Sequence, residues 1–100
     1  MSTLAIKNIG VLVTGDVKNP VSEATTIMVE DGIIKKIGGE SILEGCNCDK
    51  VIDAHGTTVT PGFIDSHVHP VLGDFTPRQN MLGFMESTLH GGVTTMISAG

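Results

Sequence analysis

One hundred residues with 40% hydrophobic and 17% charged side chains carry enough apolar surface for a core, and too few charges for a disordered chain. The net charge of −5 argues against a nucleic-acid or anionic-membrane surface. No apolar run approaches the roughly 18 residues of a membrane span, and Met1-Ser2-Thr3-Leu4 does not open like a signal peptide, so a cytoplasmic protein is expected.

The first sixty residues read as short strands and tight turns. Leu4–Ile9 and Val11–Val13 are strand candidates separated by Gly10. Thr26–Glu30 and Ile33–Ile37 flank Asp31-Gly32, a dipeptide suited to a two-residue hairpin because both positions favour positive φ. Gly38-Gly39 closes that hairpin, and Ser41–Glu44 suits one helical turn. Cys46 and Cys48 follow in a polar loop. With no second Cys or Cys/His pair to complete a structural zinc site, they are expected to be free thiols in a reducing compartment. Val51–Asp53 and Thr57–Val59 form two further short strands around Gly56, and no repeat or low-complexity segment intervenes.

Pro61-Gly62-Phe63-Ile64-Asp65-Ser66-His67-Val68-His69-Pro70 carries the chemistry. Pro61-Gly62 supplies a turn into an apolar strand and Pro70 ends it. Alternation puts Asp65, His67 and His69 on one face, and Ile64, Ser66 and Val68 on the other. Two neutral imidazoles converging from one strand suit a divalent cation. Ser66 points away from them, which leaves a serine-nucleophile mechanism unsupported.

A helix is expected next. Thr76 suits the N-cap, Pro77 the first helical position and Gln79 the third position of a capping box. Met81, Leu82, Met85 and Leu89 compose its apolar face, and Gly91-Gly92 stop it. Val93–Ile97 is β-branched and apolar enough for a buried parallel strand. Strand, helix, strand is a βα unit followed by a second strand. The histidines then stand at the carboxyl end of the first strand, where barrel enzymes carry their sites.

These segments resemble the amidohydrolase superfamily, the metal-dependent hydrolases that include urease, dihydroorotase, hydantoinase and imidazolonepropionase. The likeness runs from the N-terminal strands through Val51–Gly62 to His90–Met96. Gly73–Gln79 and Leu89–Gly100 resemble the enamidase branch, whose members open tetrahydronicotinate-type lactams. The resemblance implies an α/β fold: residues 1–60 as strands of a composite β-sandwich completed by the far C-terminus, and residues 61–100 as the first barrel strand, first helix and second strand of a (β/α)8 barrel. Such a barrel takes about 250 residues, so the chain is expected to be the N-terminal part of a larger enzyme.

The resemblance further implies that His67 and His69 bind a divalent metal, zinc by expectation with iron an alternative, as one or two ions in the whole enzyme. The ion lowers the pKa of its bound water and polarises the scissile carbonyl of a cyclic amide. Further ligands and the general base are expected from later strands, so no catalytic residue is expected within this chain. Asp65 is a candidate support for the ligands, one layer deeper on the same face. Arg78, in the first helical turn, is a candidate for holding a substrate carboxylate, against a pairing with Asp74 or solvent. His55 reads as a surface turn residue, and His90 as a helix C-terminal histidine favoured by the dipole. The expected partners are a small cyclic amide and further copies of the protein, with neither nucleic acid nor membrane. Two alternatives stand beside this reading: another reaction of the superfamily (deaminase, dihydroorotase-like or imidazolonepropionase-like), or a non-catalytic fragment that self-associates through the helix and last strand.

Overall fold

Nine strands and one α-helix are seen in the computed structural model, which describes residues 2–69 and 81–98, and the chain divides into two compact units, Met1–Pro61 and Gly62–Gly100. In the first unit, β1 (Thr3–Lys7), β4 (Thr26–Glu30), β5 (Ile33–Gly38) and β6 (Lys50–Asp53) form a sheet in the order β5-β4-β1-β6. A smaller sheet has the order β3-β2-β7, from β2 (Val11–Val13), β3 (Val21–Ser22) and β7 (Thr58–Val59). β4 and β5 are an antiparallel hairpin in which Asp31 and Gly32 take φ of 51° and 80°, as the dipeptide requires. The Asp31 carboxylate accepts the Ser2 N–H at 2.8 Å, tying the start of β1 to this turn.

Two chain reversals stack on one another. β1 pairs in parallel with β6, and β2 pairs in parallel with β7, so the turns β1–β2 and β6–β7 lie side by side. Their backbones are joined by Ala54 N–H to Lys7 C=O at 2.8 Å, Gly56 N–H to Asn8 C=O at 2.7 Å and Gly10 N–H to Thr57 C=O at 2.9 Å. Asn8 and His55 occupy matching left-handed positions, with φ of 57° and 51°. Asn8 therefore ends β1 at Lys7, earlier than the apolar run to Ile9 suggests. Ile9 is nevertheless buried, because the turn aims it inward. Ile9, Leu12 and Ile27 form the core, against which Ile6, Val29, Ala54 and Val59 pack, so both sheets contribute to it. A cleft of about 350 Å³ remains between them, lined by Ile6, Leu12, Val29, Ile34 and Ile37 among others.

The expected helical turn is present as a 3-10 turn over Glu40–Leu43. The free-thiol expectation is corrected: Cys46 and Cys48 are disulfide-bonded, with Cα atoms 5.3 Å apart. Two residues apart, the side chains can meet through local backbone geometry, which compartment-based reasoning does not see.

In the second unit β8 (Phe63–Val68) and β9 (Val93–Ser98) pair in parallel, and α1 (Met81–His90) packs on β9. Gly92, with φ of 95°, reverses the chain after α1 as the Gly91-Gly92 pair foretells. Of the expected apolar face, Met85 is half-buried, as are Phe84 and Thr88, whereas Leu82 and Leu89 are 70% and 58% exposed. No helix among the described residues is long and apolar enough to cross a membrane.

Candidate functional site

β8 carries the site because its sequence alternates. His67 is the penultimate residue of the strand and His69 follows its last, so both imidazoles leave the same face at the strand's carboxyl end. Their ring centroids lie 5.0 Å apart with the planes at 79°. Both side chains are exposed. A zinc–nitrogen bond of about 2.1 Å puts each ring centre about 3.2 Å from the ion, so two tetrahedrally disposed rings stand roughly 5 Å apart. The observed spacing fits two ligands of one metal. It does not make a complete site: no group of three or more His, Cys, Asp or Glu suited to a metal occurs among the described residues.

Asp65 lies two residues upstream and is half-buried. Its Oδ1 accepts the backbone N–H of His67 at 3.2 Å. The β8–β9 register shifts between Asp65 and Val68, in the same stretch. The carboxylate thus holds the backbone that carries the first imidazole. It is not seen against the rings themselves.

The other residues singled out from the sequence sit elsewhere. Arg78, Asp74 and the capping residues Thr76, Pro77 and Gln79 lie outside the described residues. His55 stands on the β6–β7 turn of the first unit, its side chain 81% exposed, with Nδ1 3.6 Å from Asp53 Oδ1. His90 ends α1. One polar group escaped the sequence reading. Asp53 Oδ1 accepts Asn8 Nδ2–H at 3.0 Å and His55 N–H at 2.8 Å. The Asn8 amide first, then the His55 backbone N–H, hold the Asp53 carboxyl below its ordinary pKa. Asn-x-Gly and Asp-x-His-Gly at the two turns were the available signals.

No protein-family model matches the chain. Among solved structures, that of enamidase, described as a member of the amidohydrolase superfamily, aligns with 99% of this chain and 26% of its own, with a TM-score of 0.86 and 57% identity. L-Hydantoinase (dihydropyrimidinase) from Arthrobacter aurescens aligns with 98% of this chain and 20% of its own, with a TM-score of 0.76 and 32% identity. A strand pattern, a histidine-bearing parallel strand and these likenesses agree: the chain belongs to the amidohydrolase superfamily, matching the N-terminal part of its members.

Within that class the sequence resembles enamidase. It is 57% identical over 100 residues to the enamidase of Eubacterium barkeri, spanning all of this chain and 26% of the relative. Imidazolonepropionase of Salinispora arenicola is 36% identical over 108 residues, spanning 99% of this chain and 26% of the relative. The chain thus spans about a quarter of the length of the curated relatives it matches.

Proposed function

We propose that the protein carrying this chain hydrolyses a cyclic amide, opening a lactam ring as its likeness to enamidase suggests. The observation that supports this most directly is the His67–His69 pair, 5.0 Å apart at the carboxyl end of a strand in a parallel β-α-β unit. On this reading residues 61–100 begin a (β/α)8 barrel and residues 1–60 are part of a composite β-sandwich. His67 and His69 hold a divalent metal, zinc in the first instance, which when bound supplies Lewis acidity toward the amide carbonyl and acidifies water. Asp65 fixes the backbone at His67, so that its imidazole keeps one direction. The remaining ligands and the proton acceptor come from the rest of the protein.

The test is made on the full-length enzyme. His67→Ala and His69→Ala should each lower bound metal, read by elemental analysis, and reduce lactam hydrolysis by about a hundredfold or more, while the circular dichroism of the folded protein is kept. Wild-type metal stoichiometry in both variants would remove the central claim.

Arg78 is proposed to hold a carboxylate of the substrate. Arg78→Lys keeps the charge and loses the bidentate fork, so kcat/KM for a carboxylate-bearing lactam should fall roughly tenfold, with little change for a carboxylate-free analogue. Equal effects on both substrates would make Arg78 structural. The likeness to imidazolonepropionase favours a second reading within the class, and turnover of an imidazolone in preference to a lactam would select it.

A further inference from the structure

The Cys46–Cys48 bond cross-links residues separated by only two positions, around the single residue Asn47. Cα atoms so placed can never stand more than about 7 Å apart, so the bond brings nothing distant together. Closing so short a loop also removes little entropy from the unfolded chain. Hydrogen bonds that do not involve the sulfurs hold the segment at both ends. Cys46 N–H donates to Leu43 C=O at 2.9 Å, while Asp49 N–H donates to Thr3 Oγ1 and Asp49 Oδ2 accepts Thr3 N–H, each at 2.9 Å. A bond that is redundant for structure remains available for chemistry.

Access is also present. Both cysteines are half-buried, and Cys46 lines a cavity of about 300 Å³ with Gly45, Asn47, Lys36, Glu30 and Met28. Cys48 does not line it. Cys46, and not Cys48, is thus the cysteine beside the cavity, whose charged lining residues are Lys36, Glu30 and Glu44.

We propose that Cys46–Cys48 is a thiol–disulfide exchange site that reacts with dithiols through Cys46 while the sheet stays folded. A dithiol's thiolate attacks Cys46 Sγ, the Cys46–Cys48 bond breaks, and Cys48 leaves as a thiolate and takes a proton. The second thiol of the reagent, deprotonated, then attacks its own sulfur in the mixed disulfide and releases Cys46, which is protonated. Two electrons and two protons have passed to the protein, and the reagent leaves as a cyclic disulfide.

The test equilibrates the full-length protein with mixtures of reduced and oxidised dithiothreitol, counts thiols, and follows amide hydrogen exchange. A reversible two-electron transition is expected, with exchange in β1, β4 and β5 unchanged. Reduction that needs denaturant, or that exposes those strands, would overturn the proposal. Single variants, held reduced beforehand, test the point of entry. Cys48→Ser, which retains Cys46, should form a mixed disulfide with an aromatic disulfide reagent roughly tenfold faster than Cys46→Ser. Equal rates, or the reverse order, would refute entry through Cys46.

Discussion

Asp53 shows how a single carboxylate sets the pH response of a turn. Its Oδ1 gathers the Asn8 side-chain amide and the His55 backbone N–H, which lowers its pKa from the ordinary 3.8. A carboxyl depressed in the folded state contributes stability that is complete well above 3.8 and is lost as pH falls towards and through the folded value, because the unfolded chain takes the proton first. Amide protection of Gly10 and Gly56, the donors that join the two turns, should therefore be flat from pH 7 to about 4.5 and fall below that. Asp53→Asn keeps an acceptor oxygen without the charge. It should be less protected than wild type near neutrality and should lack the acid-side decline. Parallel pH profiles for variant and wild type would show that the charge does no work there.

At the scale of elements, the stacked turns β1–β2 and β6–β7 make a steric prediction. A Cβ added at Gly10 would overlap the backbone carbonyl of Gly56, which the paired strands hold in place. Gly10→Ala should therefore destabilise the protein by about 3 kcal/mol, read as a shift in the urea midpoint. Gly39→Ala is the control: its backbone is extended and a Cβ there meets nothing within 4 Å. It should be neutral or stabilise by about 0.5 kcal/mol through the unfolded chain. A Gly10→Ala variant as stable as Gly39→Ala would mean that the turns do not stack as described. The same elements show what a sequence can disclose. Asp31-Gly32 announced its hairpin because both residues suit the left-handed region, and strict alternation was enough to put His67 beside His69. The hidden features depend on partners. β3 is only Val21–Ser22 and exists through its pairing with β2, so no periodicity marks it. Asn8 ends β1 because the second turn lies against it.

For the whole molecule, the decisive facts are how many metal-binding side chains are brought together and how much apolar surface is exposed. Two imidazoles are brought together, and no larger metal-binding group exists among the described residues. The chain matches 26% of the length of enamidase. Hydrolysis of an amide requires an activated water, an oriented carbonyl and a proton acceptor together, and two imidazoles alone cannot assemble them. The 100-residue chain prepared alone should accordingly show no lactam hydrolysis or deamination, even with zinc in excess. It should also self-associate. Phe63 and Ile64 on β8 are 57% and 65% exposed, Leu82 on α1 is 70% exposed, and the apolar cleft between the two sheets of the first unit is open. Surfaces of this kind are covered in stable proteins, either by the rest of the fold or by other copies. Light scattering of the isolated chain should report oligomers, and the full-length protein should show less self-association at equal concentration. Metal-dependent turnover by a monodisperse monomer of these 100 residues would refute both the incomplete site and the need for the remainder of the protein.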